Sequence, residues 1–266
     1  MELTVLGAAP AYTDRRGSAA SSYLLRAGGA GGAGGGTPNG LGAALLFDIG
    51  QGSFANLAAT LEPSALTGVL VSHLHPDHLV DLVPLRHYLK WEFDPPRRVR
   101  VIGPAGLGGR IDALDGHEGF AAEALDVEAL SAGVHRIGPF EIEVLRVTHT
   151  EESYAFRVVA RAGVSGATGA GFVYSGDCAC AEDLAPLIHP GDTFLCEASF
   201  GAGPVAPGAQ HITSGDAARV AAAGGAARLL LTHILSGHSR YETLAAAQSV
   251  FAGPIQLVTE GDRFEI

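Results

Sequence analysis

The sequence predicts an α/β fold, a sandwich of sheets that carries its chemistry along one rim. Three observations predict it. Short apolar runs recur along the chain, each bounded by polar or glycine-rich turns, as buried strands are. Five of these runs hand over to a histidine or an aspartate at their C-terminal ends. Hydrophobic residues make up 47% of the 266, enough to build a sizeable core within a single domain spanning residues 1–266.

The elements follow in order. Leu3-Thr4-Val5-Leu6 and Tyr23-Leu24-Leu25 read as opening strands. The glycine-rich segment 28–40 follows as an elongated hairpin loop; it lacks Gly-Lys-Ser/Thr and any helix-opening pattern, so it is no phosphate cradle. Leu45-Leu46-Phe47 leads to Asp48, and Val69-Leu70-Val71 to Ser72-His73-Leu74-His75-Pro76-Asp77-His78. A helix starts near Asp81, and Val99-Arg100-Val101-Ile102 reads as a strand ending in a turn. Val144-Leu145-Arg146-Val147 then delivers His149. A short glycine turn at 165–171 precedes Phe172-Val173-Tyr174, which delivers Asp177. A helix over 214–223 precedes Leu229-Leu230-Leu231, which delivers His233.

His73, His75, Asp77 and His78 crowd three imidazoles and a carboxylate into six positions. One zinc ion rarely takes more than four such ligands, so this cluster together with His149, Asp177 and His233 implies two metals. Strands suit the task, because rigid elements hold the loops that carry the ligands.

In the order and spacing of these motifs the chain resembles the metallo-β-lactamase-fold hydrolases. The resemblance implies an αββα four-layer sandwich with two divalent metals at one edge of the paired sheets. It implies that His73, His75 and His149 hold one metal, that Asp77, His78 and His233 hold the other, that Asp177 bridges them, and that Asp48 braces the site from behind. Asp177 stands where true lactamases often place cysteine, which favours ester or phosphodiester substrates. Leu195-Cys196-Glu197-Ala198-Ser199-Phe200 and His211-Ile212-Thr213-Ser214-Gly215 resemble motifs of the ribonuclease Z branch. Ser21-Ser22-Tyr23-Leu24-Leu25, Thr148-His149-Thr150-Glu151-Glu152-Ser153-Tyr154 and Glu260-Gly261-Asp262-Arg263-Phe264 are closer still to small actinobacterial proteins regarded as atypical class II cyclic-nucleotide phosphodiesterases.

That resemblance implies hydrolysis of a small phosphodiester, a cyclic nucleotide of the 3′,5′-cyclic AMP class, by a hydroxide bridging the two metals. Asp77 would orient the nucleophile, His211 would protonate the leaving oxygen, and Glu197 would orient His211. Histidine with carboxylate suits Zn2+ best, although manganese and iron accept the same donors. Two other readings stand beside this one, a ribonuclease Z-like tRNA 3′-processing endonuclease and a non-catalytic metal-binding member of the fold. The sequence disfavours RNA. No long basic arm lies between His78 and His149, and the net charge of −11 opposes a large polyanion. Arg97, Arg98 and Arg100 form the one dense basic run, and such a run is most often a solvated strand edge.

The remaining features carry weaker expectations. Three cysteines, Cys178, Cys180 and Cys196, cannot all pair, which argues against a disulfide framework and for a cytoplasmic location. No apolar stretch approaches a membrane span, and the chain opens without a signal-peptide pattern. Cys178 is not expected to ligate, since Asp177 fills that position. His87, His117, His135 and His189 read as surface or structural, and His238 as a turn residue. Arg240 is a minor candidate for phosphate contact. Tyr88, Trp91 and Phe93 read as core or lid packing, with stacking on a base as the sharper alternative. Members of the family are often dimers, which makes a homodimer one assembly the resemblance allows, with the oligomeric state left open by the sequence.

Overall fold

The computed structural model describes residues 1–28, 42–161 and 169–266. Two seven-stranded sheets face one another. The first comprises β1 (Glu2–Gly7), β2 (Ser22–Ala27), β3 (Ala43–Phe47), β4 (Gly68–Leu70), β5 (Val99–Gly103) and β6 (Leu125–Ala129). The second comprises β7 (Gly133–Ile137), β8 (Phe140–Val147), β9 (Ser153–Ala160), β10 (Phe172–Tyr174), β11 (Thr193–Glu197), β12 (Arg228–Thr232) and β13 (Ile255–Leu257). The last strand, β14 (Arg263–Glu265), returns to the first sheet and pairs antiparallel with β1. Helices α1 (Ser53–Thr60), α2 (Pro76–Leu79), α3 (Leu82–Trp91) and α4 (Leu107–Asp115) follow strands of the first sheet. Helices α5 (Ser214–Gly224) and α6 (Arg240–Gln248) follow strands of the second. This is the αββα sandwich that the family resemblance implied.

The central strands read as unbroken apolar runs because both of their faces are buried. Leu45 and Phe47 point between the sheets, where they meet Phe140, Ile142, Phe156, Phe172 and Leu230. Ala44, Leu46, Val69 and Val71 point the other way, onto Leu57, Leu85, Leu89 and Ile111 of the first helical layer. Phe194, Cys196, Leu229 and Leu231 pack likewise onto Ala217, Ala221 and Ala247 of α5 and α6. Polar residues are therefore few along these strands, and the ligand candidates stand just past the strand ends.

Strands β3, β4 and β5 run parallel, as do β10, β11 and β12, so their C-terminal ends share one rim. Between His78 and His149 the chain is occupied by α3, α4 and the strands β5 to β8, with no projecting arm. The basic run lies one strand in from the sheet edge rather than on it. Arg98 Nε donates to Asp126 at 2.7 Å, Arg100 holds Glu128 through two bonds of 2.6 and 2.7 Å, and Arg97 donates to Ser64 at 2.8 Å. The glycine-rich segment falls outside the described residues beyond Gly28, although β2 and β3 on either side of it pair antiparallel up to Ala27 and Ala43. Most of the second glycine turn is also outside them. Among the described residues no helix is long and apolar enough to cross a membrane.

Candidate metal centre

Each ligand candidate stands just past the end of a strand. Asp48 follows β3, His73 to His78 follow β4, His149 follows β8, Asp177 follows β10 and His233 follows β12. Two of them adopt left-handed backbone, Asp48 at φ 56° and His233 at φ 59°, the only non-glycine residues described with positive φ. Such a conformation costs on the order of 1–3 kcal/mol and persists where surrounding contacts over-determine it. Gly50 and Gly176 clear the space around the loops. A Cβ at Gly50 would lie 2.0 Å from the Asp77 carbonyl oxygen, and one at Gly176 would lie 2.6 Å from that of Tyr154.

Hydrogen bonds fix which nitrogen each imidazole turns inward. Asp48 is the hub. Its Oδ1 accepts from the Ser72 amide at 2.7 Å. Its Oδ2 accepts from Ser72 Oγ at 2.8 Å, from His78 Nδ1 at 2.7 Å and from Tyr174 Oη at 2.6 Å. Since the Ser72 hydroxyl proton goes to Asp48, Ser72 Oγ accepts from His73 Nδ1 at 3.0 Å. His149 Nδ1 donates to the Gln210 carbonyl at 2.9 Å. Ser199 Oγ donates to Glu197 Oε2 at 2.6 Å and accepts from His233 Nδ1 at 2.8 Å. His75 turns its Nε2 toward Thr150 Oγ1 at 3.1 Å and its Nδ1 inward.

Five imidazoles therefore present inward nitrogens whose protons are spent on the outer side. His75 Nδ1 lies 2.9 Å from His73 Nε2 and 3.3 Å from His149 Nε2. Lone pairs crowded at such distances repel unless a cation sits among them. His78 Nε2 is buried without a hydrogen-bond partner, 3.4 Å from Asp177 and 3.6 Å from Asp77. His233 Nε2 lies 3.2 Å from Asp77 and 3.6 Å from Asp177. Ligand atoms of His73, His75, His149 and Asp177 all fall within 4.8 Å of one another, as do those of Asp77, His78 and His233. The donor set fits two divalent cations, with Asp177 placed between the groups.

The electrostatics agree. Burial and neighbouring imidazoles hold His73 well below the usual histidine range, and burial lowers His149 as well, so both keep the neutral form that ligates. Burial would raise Asp77, but the hydrogen bond from His233 and the charge of His78 bring it down to about 2. Asp177 is likewise held well below the carboxylate range by His233 and His78, against its own burial. Burial opposes a charge on His78, yet Asp177 and Asp48 push it well above the histidine range; a cation at Nε2 would take the place of the proton that those carboxylates favour there.

His211 and Glu197 meet as expected, with Nδ1 donating to Oε1 at 2.9 Å. Burial would lower His211, but Glu197 lifts it to about 9. Glu197 is itself buried and also accepts from the amides of Cys178 and Ser199. The sequence reading sets His211 outside the ligands, and it stands close beside them. A ligand-type nitrogen of His211 falls within 4.8 Å of a carboxylate oxygen of Asp177 and a ring nitrogen of His233. Its Nδ1 is committed to Glu197, and its Nε2 has no hydrogen-bond partner among the described residues.

The other candidates lie apart. Cys178 is buried behind Asp177, with its thiol on the Cys180 carbonyl; all three cysteines are unpaired. His238 sits in a turn, its ring 6.3 Å from Phe200, which separates it from His211. Arg240 donates to the Leu257 carbonyl at 3.2 Å. Tyr88 packs between Phe54 and Phe93, while Trp91 is exposed. His87 packs on Phe120. His117, His135 and His189 stand outside the ligand groups. Sequence reasoning missed Ser72, Tyr174, Ser199, Thr150 and the Gln210 carbonyl. Ser72 and Ser199 lie beside recognised motifs, whereas a backbone carbonyl leaves no signal in a sequence.

Comparison with known proteins agrees with this geometry. A family profile described as a beta-lactamase superfamily domain matches residues 44–234, which contain every ligand candidate. An uncharacterized protein of Mycobacterium tuberculosis is 32% identical over 273 residues, covering 100% of this chain and 92% of the relative. The crystal structure of the metallo-beta-lactamase fold protein YhfI from Bacillus subtilis superposes with a TM-score of 0.80 at 23% identity, covering 99% of both chains. Human tRNase Z, short form, superposes with a TM-score of 0.70 at 21% identity, covering 100% of this chain and 99% of that one.

Proposed function

The chain belongs to the beta-lactamase superfamily, in its metal-dependent hydrolase fold, and from that premise we propose that it hydrolyses a small phosphodiester, a cyclic nucleotide of the 3′,5′-cyclic AMP class. The observation that carries this reading is the His211–Glu197 pair, a buried carboxylate holding an imidazole beside a complete ligand set. His73, His75 and His149 would hold one divalent ion, Asp77, His78 and His233 the other, with Asp177 between them. Zinc suits these donors best. Ions held there supply Lewis acidity and a lowered water pKa.

The chain's own residues do the rest. Asp77 presents a carboxylate oxygen that orients the attacking water. The water oxygen bonds to phosphorus as one of its protons passes to the Asp77 carboxylate, the ester P–O bond breaks, and the departing alkoxide takes the proton of His211 Nε2. Glu197 keeps His211 protonated and aimed, and its own position is fixed by the Cys178 and Ser199 amides. Three unpaired thiols suit a reducing, cytoplasmic compartment.

The likeness to ribonuclease Z proteins, among them one of Myxococcus xanthus at 26% identity over 84% of this chain, keeps tRNA processing as the second reading. Against it, Arg98 and Arg100 are matched by carboxylates, and the chain carries a net charge of −11. The test offers zinc- or manganese-loaded protein 3′,5′-cyclic AMP and a 3′-extended tRNA precursor, with His75→Ala as control. Turnover of the nucleotide, lost in the control, supports the proposal. Cleavage of the tRNA alone replaces it with the second reading.

A further inference from the structure

Four of the five inward-facing imidazoles rest their outer nitrogen on an acceptor that the fold fixes: His73 on Ser72 Oγ, His78 on Asp48, His149 on the Gln210 carbonyl and His233 on Ser199 Oγ. His75 differs. Its Nε2 meets Thr150 Oγ1 at 3.1 Å, and Thr150 is exposed, so water competes for that contact. An exposed hydroxyl is a weak anchor for a metal ligand.

The loop after β8 places a second acceptor at the same nitrogen. Glu151 Oε1 lies 3.8 Å from His75 Nε2, an ion-pair distance. It is buried and has no hydrogen-bond partner among the described residues. A carboxylate oxygen taken out of water is costly unless a donor meets it. The two oxygens of Glu151 face different ways. Oε2 lies 4.0 Å from Arg110 Nη2 on α4, while Oε1 has His75 as its one cationic neighbour among the described residues. Glu152, the next residue, is already engaged, because its Oε1 accepts from the Tyr154 hydroxyl.

We propose that Glu151 is the positioning residue of His75. Its Oε1 accepts the Nε2 proton, which keeps that proton on the outer nitrogen, turns the Nδ1 lone pair inward and fixes the plane of the ring. The inference rests on the two-ion reading of the centre and on no particular substrate. Each ion is then backed by one carboxylate, Glu151 acting through His75 and Asp48 through His78. The effect of Glu151 falls on the ion assigned to His73, His75 and His149.

The experiment titrates zinc-loaded protein with a competing chelator and counts bound zinc by elemental analysis. Glu151→Ala weakens one of the two ions about 10–100-fold and leaves the other at its wild-type affinity, so at intermediate chelator the variant holds one ion per chain where wild type holds two. Glu151→Met, which keeps the bulk without the acceptor, behaves in the same way and covers the case of a misfolded alanine variant. Glu151→Gln, whose amide oxygen still accepts from Nε2, recovers most of the loss. Glu152→Gln removes the same charge from the same loop and binds zinc as wild type does. A matching loss in Glu152→Gln assigns the effect to charge alone and overturns the proposal. So does wild-type affinity in Glu151→Ala and Glu151→Met, with Thr150→Val carrying the loss instead. If wild-type protein binds no zinc, the two-ion reading falls and this inference with it. Hydrolysis has no part in the readout, so a failure of the phosphodiesterase reading is seen separately.

Discussion

The two sides of the centre are built differently. On the side of the first sheet, Asp48, His73 and His78 are fully buried, and every outward polar atom of the trio is matched by Ser72, Tyr174 or one another. Toward solvent, His75, on the same loop as His73, and His211, from the second sheet's side, are partly open, with side-chain exposures of 36% and 23%. The buried side resembles a core that contains ligands. The open side resembles a rim where a substrate can arrive. The difference teaches that one face of the centre is locked in place by buried hydrogen bonds while the other, which the ligand candidate His75 shares with His211, stays open to an arriving substrate.

Substitutions on the two sides should therefore fail in different ways. The largest effect is expected on the open side. His211→Ala removes a general acid, and kcat should fall by about 10²–10⁴-fold while metal content stays at the wild-type level; steady-state kinetics beside elemental analysis reads both. Asp48→Asn should do the reverse in kind. Losing the carboxylate that orients His78 and steadies Ser72 should weaken metal affinity by about 10–100-fold, seen in competition with a chelator. The swap should also lower stability, because Tyr174 Oη is buried against this group. Ser199→Ala cuts the link between Glu197 and His233 and so touches both sides. It should cost about 1 kcal/mol in denaturant unfolding, with a correspondingly modest loss of turnover. Arg100→Gln should be nearly silent, within about 0.5 kcal/mol in stability and with no change in nucleotide turnover, since it breaks only an exposed pair. A large loss of activity in that variant would show that the basic run serves a polyanion after all.

The same contrast explains what the sequence made legible. The strands were readable because burial on both faces writes continuous apolar runs, and Asp48, His73, His149, Asp177 and His233 stood out as the first polar chemistry after each run. The cluster from His73 to His78 was legible because its ligands are contiguous in the chain. The roles of Ser72, Ser199, Tyr174 and Thr150 were not, since hydroxyls are common and only the fold brings Tyr174 of one sheet to Asp48 of the other. The approach of His211 to Asp177 was equally hidden, because only the fold brings its Nδ1 to 3.8 Å from Asp177 Oδ2 across 34 positions of sequence. Left-handed backbone at Asp48 and His233 had no sequence signal either, as neither is glycine.

The most direct test measures metal content and phosphodiester turnover on one zinc-reconstituted sample, with His75→Ala beside it. The account predicts two ions per chain, hydrolysis of 3′,5′-cyclic AMP, and loss of that hydrolysis in the variant. Two bound ions with no hydrolysis of any phosphodiester, small or large, would contradict it, and would leave the chain a metal-binding protein on a hydrolase fold.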